Sequence, residues 1–157
     1  MQGSRGLRIA ALLGWMAVIF IMSADSGSGG HSSYIVRGLA FLYSCFGFAP
    51  PSPEALDIWH SVLRKGAHMG EYAVLYFLSR RCPLGVRGSF LLCAAYACSD
   101  EWHQTFVPNR AGTLADVGID CMGAFLAVLC ERVCAYLRSR RQNPENSVGL
   151  APGRADS

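Results

Sequence analysis

Charged residues are scarce in this chain. They make up 16% of its 157 residues, whereas a typical soluble domain contains roughly 25%. The net charge is only +3, hydrophobic residues reach 52%, and the basic residues form no dense stripe of the kind that binds nucleic acid. The composition therefore argues against nucleic-acid binding and predicts a small membrane protein with a single domain.

The sequence also lacks a C-x-x-C motif and an internal repeat. Its seven cysteines are an odd number, so neither a zinc knuckle nor a disulfide framework is indicated. Most of these cysteines fall within apolar runs, where a thiol behaves as a small hydrophobic side chain. We interpret all of them as structural.

Four apolar stretches have lengths near the ~20 residues that cross a bilayer as a helix. Arg5 and Arg8 precede the first of them, as in a signal peptide. However, Met22 would occupy a position of the cleavage site that requires a small residue, and more apolar segments follow. We therefore interpret the first stretch as an uncleaved span. We predict an all-α fold, a polytopic membrane helical bundle of about four transmembrane helices, at residues 7–22, 61–78, 88–106 and 114–136.

The placement of basic residues predicts the orientation of these spans. With a cytoplasmic N-terminus, ten arginines fall in cytoplasmic segments and four basic residues in outer segments, in agreement with the positive-inside rule. The link between the second and third spans is the clearest case, because it contains Arg80, Arg81 and Arg87 and no carboxylate. Both termini are therefore predicted to be cytoplasmic.

Two segments lie outside the predicted spans. In the outer loop 23–60, the Gly- and Ser-rich residues 26–33 predict a flexible turn, and the apolar run 34–43 predicts an interfacial or re-entrant helix. A fifth span reaching Phe48 is the alternative. Residues 1–136 are predicted to form the transmembrane domain, and residues 137–157 a basic, disordered cytoplasmic tail.

The second predicted span carries a stripe of ionisable side chains. Arg64, His68 and Glu71 are spaced i, i+4 and i+7, so they share one face of a helix. Lys65 and Tyr72 flank this stripe. Ionisable groups at membrane depth are costly unless they are paired or hydrated, which makes them functional candidates. An intrahelical pair of Glu71 with Arg64 or His68 that only stabilises the helix is the alternative.

The third and fourth predicted spans carry polar residues at the same end of the bundle. Asp100 and Gln104 are spaced i, i+4, as are Asp116 and Asp120. Polar residues with separate structural roles would lie at different depths in the membrane, so the common depth of these residues predicts one shared functional site. A polar cluster that only stabilises the fold is the alternative. The polar residues of this region are Asp100, Glu101, His103, Gln104, Arg110, Asp116 and Asp120.

Small residues predict where helices approach each other closely. Gly66 and Gly70 form a small-xxx-small pair on the face of the second span opposite its polar stripe, a pattern that admits a neighbouring helix. In the fourth span, Gly123 and Ala127 continue the stripe of Asp120. They predict tight packing below the polar cluster.

At these residues the sequence resembles the VanZ-like family of small bacterial membrane proteins, which is linked to teicoplanin resistance. Residues 64–72 match its R-K-x-x-H-x-x-E-Y motif, and residues 100–123 match its D-E-x-x-Q-x-F-x-x-x-R motif with the spaced acids and glycine that follow. His103 is not part of the pattern. The resemblance implies a multi-pass protein in the plasma membrane of a bacterium and a link to the cell envelope, but no defined reaction.

The leading functional hypothesis is an outer-leaflet polar site that recognises the head group of a lipid-linked wall precursor or of a lipoglycopeptide. Arg64 and Arg110 would hold phosphate or carboxylate through bidentate hydrogen bonds. The expected partners are these ligands and membrane lipids, and oligomerisation stays open. The candidate site residues are Arg64, Lys65, His68, Glu71, Tyr72, Asp100, Glu101, Gln104, Arg110, Asp116 and Asp120.

Two other functions stay open, although we assign no catalytic residue and predict no cofactor. A membrane-embedded hydrolase of a lipid phosphoester would use a divalent metal such as Mg²⁺ or Mn²⁺. A small proton-coupled carrier would use the carboxylates as relays, but four short spans leave little room for a complete pathway. The candidate metal ligands are His68, Glu71, Asp100, Asp116 and Asp120.

Overall fold

The computed structural model describes residues 2–24, 28–108, 110 and 112–142. This part of the chain folds into five α-helices and contains no strand, so the predicted all-α fold is confirmed. The helices are α1 (Gln2–Ala24), α2 (Ser28–Cys45), α3 (Pro53–Arg80), α4 (Val86–Gln104) and α5 (Leu114–Gln142).

α1 is the helix best suited to a membrane. Its segment Arg5–Ala24 has a mean hydropathy of 2.0 and, among the helices described, is the one that is long and apolar enough to cross a bilayer. The other three predicted spans coincide with α3, α4 and α5, in which ionisable side chains interrupt the apolar pattern. Length and composition therefore identify one candidate span.

α3 is one continuous helix that contains the second predicted span, 61–78, and begins eight residues before it. The Ser52 hydroxyl caps it by accepting a hydrogen bond from the Ala55 N–H at 3.3 Å. Pro53 stands in the first turn, where its missing N–H leaves no hydrogen bond unmade. Glu54 in the same turn is favoured by the helix dipole. These three features favour the start of α3, which has 28 residues.

The beginning of α2 corrects one prediction. The helix starts at Ser28, so the flexible turn predicted at 26–33 is wrong for residues 28–33, and residues 25–27 lie outside the described part. Helix propensity is a weak preference that tertiary contacts override, and α2 packs along α3. One contact joins the rings of Tyr43 and Trp59, whose centroids are 5.7 Å apart.

α5 extends past its predicted end at residue 136. It begins at Leu114, as predicted, and runs through Gln142, so the first part of the predicted disordered tail is helical. Arg140 and Arg141 stand in the last turn, where basic side chains are favoured by the negative end of the helix dipole. Residues 143–157 lie outside the described part of the chain.

Helices α1, α3, α4 and α5 alternate in direction along the chain. Arg8, near the start of α1, donates a hydrogen bond to the carbonyl of Arg81, just past the end of α3, at 3.3 Å, so α1 and α3 run antiparallel. Short links at 81–85 and 105–113 then reverse the chain into α4 and into α5. The end of α4 and the start of α5 therefore meet at one end of the bundle, beside the first half of α3.

Two aromatic donors attach α1 to the other helices. The Trp15 indole donates to the carbonyl of Glu71 in α3 at 3.0 Å, and the Tyr96 hydroxyl of α4 donates to the carbonyl of Met16 at 2.6 Å. About one turn further along α1, Ile19 is 1% exposed. α1 is thus part of the packed bundle.

The closest helix contact joins α3 to α5 at Gly123. A Cβ added to this residue would lie 2.7 Å from the Cα of Met69, a distance that packed atoms do not tolerate. One turn further along α5, Ala127 is 3% exposed. The tight packing predicted below Asp120 is confirmed.

The close approach predicted at Gly66 and Gly70 is wrong for the described part of the chain. Both glycines are exposed, and a Cβ at either would meet nothing within 4 Å among the described residues. α5 packs against the Met69 backbone, on another side of α3. The small-xxx-small pattern therefore marks a helix face that the other described residues leave uncovered.

A second polar cluster, which we call the Glu131 cluster, lies at the opposite end of the bundle. The Arg80 guanidinium binds Glu131 with Nη2–Oε1 at 2.7 Å, and the buried Tyr76 hydroxyl donates to the same carboxylate. Arg80 also donates to the Leu84 carbonyl at 2.8 Å. The cluster joins the end of α3, the following link and α5.

Candidate functional site

Three helices meet around one cavity, which we call the polar cavity. Its volume is about 250 Å³, and it lies between α3, α4, the 105–113 link and the first turns of α5. Most of the predicted site residues line it. The lining residues are Arg64, Lys65, His68, Glu101, Gln104, Arg110, Thr113, Asp116, Ile119 and Asp120.

Basic side chains lie at the mouth of the polar cavity. Arg64 and Lys65 are exposed, and neither makes a hydrogen bond or ion pair with another described residue. The pairing of Arg64 with Glu71 considered from the sequence is not formed, because seven residues of helix separate them by about 10 Å. Both cations are available to an anionic ligand.

Glu101 connects the wall of the cavity to the link before α5. This residue is 5% exposed, yet its carboxylate accepts hydrogen bonds from Gln104 Nε2 at 2.9 Å and from the Thr113 backbone N–H at 3.0 Å. The link can approach α4 so closely because residue 112 is glycine: a Cβ there would lie 2.9 Å from the Glu101 carbonyl carbon. Glu101 therefore positions the loop that carries Arg110.

Thr113 and Asp116 form the N-terminal cap of α5. The Thr113 hydroxyl donates to Asp116 Oδ2 at 2.8 Å and accepts from the Asp116 backbone N–H at 3.1 Å. In a standard capping box the residue in the Asp116 position would also accept the N–H of the cap residue. Here Glu101 of α4 accepts it instead, which couples the start of α5 to α4.

His68 contributes the deepest basic group of the cavity. Its Nδ1 lies 3.8 Å from Glu71 Oε2 and 3.7 Å from Asp120 Oδ1. Asp100 is close by, and its Oδ2 accepts a hydrogen bond from Gln104 Nε2 at 3.2 Å. The three polar stripes predicted from α3, α4 and α5 therefore meet at this point.

Four polar residues of these helices are not part of the cavity lining. Glu71 and Asp100 stand beside it, next to His68, and the other two lie further away. Tyr72 is 0% exposed and packs in the core, with its ring centroid 6.4 Å from that of Tyr96. His103 stacks on Phe20 of α1 at 4.2 Å between ring centroids. His103 thus helps to attach α1, and Tyr72 is a core residue beside the acids.

Thr113 organises the site but is not among the residues predicted from the sequence. Thr113 shapes the cavity through three hydrogen bonds, and the spacing of Thr113 and Asp116 is the T-x-x-D signature of a helix start. That local signal was sufficient to find it. Ile119 also lines the cavity, but apart from its place one residue before Asp120 nothing in the sequence predicts it as a site residue.

The fold and the site define a small all-helical protein with one apolar candidate span and a polar cavity between three helices. The chain belongs to the VanZ/LLP1 family, whose family model matches residues 8–135. The match includes every residue that lines the polar cavity. No curated protein and no solved structure matches the chain.

Proposed function

We propose that this protein is a multi-pass membrane protein of the bacterial cell envelope in which α1, α3, α4 and α5 cross the bilayer. In this arrangement α2 lies at the outer interface and both termini are cytoplasmic. Family membership and the apolar α1 support the membrane location. The arginines in and around the link between α3 and α4, together with those at the end of α5, support the orientation through the positive-inside rule. In this orientation the polar cavity would lie at the outer leaflet.

The orientation predicts which single cysteines are reached from outside the cell. After replacement of the seven native cysteines, Ser52→Cys should react with a membrane-impermeant maleimide on intact cells. Gly85→Cys should react only after permeabilisation. Both positions are exposed caps at the starts of α3 and α4, so accessibility to the reagent differs only by membrane side. Labelling of Gly85→Cys on intact cells would reverse the topology and move the cavity to the cytoplasmic face.

We infer that the polar cavity recognises an anionic head group, a phosphate or carboxylate carried by a lipid-linked wall precursor or by a lipoglycopeptide such as teicoplanin. The observation that carries this proposal is the convergence of Arg64, Lys65 and Arg110 on one cavity. Guanidinium groups bind phosphate and carboxylate in a bidentate way, and lysine adds a mobile point charge.

The acids of the cavity are arranged so that they do not oppose an anion at its mouth. Glu101 and Asp116 are engaged by Thr113 and Gln104, and Asp120 is only 1% exposed. The exposed cations Arg64 and Lys65 therefore lie at the mouth, and the most deeply buried acid of the lining, Asp120, lies inside. An anion at the mouth would be bound by Arg64 and Lys65, while deeper acids accept hydrogen bonds from hydroxyl or amine groups of the ligand.

The size of the cavity fits a head group. Its volume of about 250 Å³ lies just below the range of roughly 300–1,000 Å³ that is typical of small-molecule sites. Such a cavity holds a phosphate with part of a sugar or amino acid but no acyl or prenyl chain. The chain would stay in the bilayer beside the helices.

The binding test uses the purified full-length protein in detergent and two probes. One arm titrates a short prenyl diphosphate, and the other titrates teicoplanin, with calorimetry as the readout. We expect saturable binding in at least one arm and a weakening of at least about tenfold in Arg64→Gln/Lys65→Gln, because each charge-assisted hydrogen bond contributes about 1.5–3 kcal/mol before solvent screening.

Arg138→Gln/Arg141→Gln is the matched control, because it removes the same two positive charges as the cavity double variant. Both arginines are exposed near the far end of α5, so their replacement does not touch the cavity. We expect unchanged affinity in this control. Absence of binding in both arms, or equal weakening in both variants, would contradict recognition at the cavity.

Hydrolysis and transport, the two alternative functions, can each be distinguished from head-group recognition. A hydrolase would release inorganic phosphate from the prenyl diphosphate, which a phosphate assay on the same sample detects. A carrier would need a polar path through the bundle, but Tyr72, Leu75 and Ala97 below the cavity are all 0% exposed. This closed core favours recognition over transport.

A further inference from the structure

Three polar atoms at or beside the inner end of the polar cavity are buried and make no hydrogen bond of standard geometry with the described residues. They are Nδ1 of His68, Oδ1 of Asp100 and Oδ2 of Asp120. The Ser23 hydroxyl is close to Asp100 and is likewise buried without such a bond. Asp100 is 2% exposed and Asp120 is 1% exposed. Burying a carboxylate oxygen without a partner is costly, and such groups in proteins are usually paired or bind metals.

These side chains also converge on one point from three helices. His68 of α3, Asp100 of α4 and Asp120 of α5 each offer a ligand atom, and the three atoms lie within 4.8 Å of one another. Atoms at such separations share a point within about 2.8 Å of each. Small side-chain rotations would shorten these distances to the roughly 2.0–2.3 Å of metal–ligand bonds.

We infer that His68, Asp100 and Asp120 bind a divalent cation at the inner end of the polar cavity. One imidazole and two carboxylates are hard or borderline ligands, and the three ligands include no thiolate, so Mn²⁺ or Mg²⁺ fits this set better than a soft metal. The two carboxylates balance the charge of the ion, and Glu71, 3.8 Å from His68 Nδ1, stands beside the site as an outer hydrogen-bond acceptor.

The cation site goes beyond head-group recognition and does not depend on it. All three ligands come from the protein, and the cavity leaves further coordination positions to water. If an anionic head group enters the cavity, the ion would add a positive charge deep inside, where the side chains alone supply mostly acids. The same three ligands would also join α3, α4 and α5 around one ion.

The test uses the metal alone with the purified full-length protein, freed of metal by a chelator. Titration with Mn²⁺, followed by electron paramagnetic resonance of the unbound ion, should show one saturable site per chain. Spin-echo spectra of the bound ion should show coupling to an imidazole nitrogen. His68→Gln should abolish this nitrogen coupling, and Asp120→Asn should weaken binding by at least about tenfold.

Two matched controls separate this site from adventitious binding. Asp57→Asn changes an exposed acid of α3, and His60→Gln changes a histidine more than two turns before His68 on the same helix. Both controls should keep the affinity and the nitrogen coupling. Thermal unfolding measurements check that each variant is folded. If Asp120→Asn does not fold, the nitrogen coupling of the parent and its loss in His68→Gln are sufficient to test the site.

Two results would overturn the inference. The first is the absence of saturable Mn²⁺ binding to the unmodified protein. The second is a bound ion whose nitrogen coupling persists in His68→Gln, which would place the ion elsewhere. Because no lipid or antibiotic is present, failure here leaves head-group recognition intact, and failure of head-group binding leaves the cation site intact.

Discussion

Replacement of Gly123 by alanine is expected to destabilise the bundle by about 3 kcal/mol, the upper part of the range for overpacked cores. The added Cβ would lie 2.7 Å from the Met69 Cα, which is backbone and cannot rotate away. α3 and α5 would have to separate along their closest contact. For a chain of this length, thermal unfolding in detergent should shift downward by roughly 10 °C.

Gly118→Ala provides a control with the same chemical change on the same helix. Gly118 is exposed, and a Cβ there would meet nothing within 4 Å among the described residues. Alanine in an exposed helix is more favourable than glycine by roughly 0.5–1 kcal/mol, so this variant should be as stable as the parent or slightly more stable. Equal midpoints for the two variants would contradict the close α3–α5 contact.

The Gly123 variant should also disturb the site. Met69 follows His68 in α3, and Gly123 is three residues after Asp120 in α5, so a wider gap between the helices increases the His68–Asp120 distance of 3.7 Å. Binding measured at the polar cavity should therefore fall together with stability in Gly123→Ala. In Gly118→Ala binding should be unchanged.

Replacement of Glu101 by alanine is expected to release the link before α5 while leaving the helices folded. The change removes the acceptor of the Thr113 N–H and one of the two acceptors of Gln104 Nε2, which keeps its bond to Asp100. A buried donor left without its partner costs about 1–3 kcal/mol. Since 1.4 kcal/mol corresponds to a factor of ten, hydrogen exchange at the Thr113 amide should accelerate roughly 10- to 100-fold.

Glu101→Gln is the conservative control for this prediction. Its side-chain oxygen can still accept the Thr113 N–H, so exchange should stay close to that of the parent. Head-group affinity distinguishes a binding site from a polar cluster that only stabilises the fold. If the cavity is a binding site, this affinity should fall in Glu101→Ala, because the same link carries Arg110. Unchanged exchange at Thr113 in the alanine variant would refute the role of Glu101.

The polar stripes were predictable because helix periodicity fixes which side chains share a face. His68, Asp100 and Asp120 each belong to an i, i+4 or i+7 series, and alternating helix directions bring the three series to the same end of the bundle. The start of α5 at Leu114 was predicted for a similar local reason, since turn residues precede an apolar run. These features depend on short stretches of sequence.

Which residues contact each other across helices could not be predicted from the sequence, because these contacts depend on how each helix is rotated about its axis. Arg80 counts toward the positive-inside rule in the sequence, but in the structure it binds Glu131, 51 residues away. Gly66 and Gly123 carry similar local patterns, yet only Gly123 meets another helix among the described residues. No single segment contains the information that distinguishes these cases.

The closed core between the polar cavity and the Glu131 cluster makes the molecule one-sided. Leu75, Cys93 and Ala124 fill this layer and are all 0% exposed, so a ligand that enters the cavity has to leave by the same mouth. With the helices across the bilayer as proposed, occupancy would follow the ligand concentration on the side of the mouth, as for a receptor.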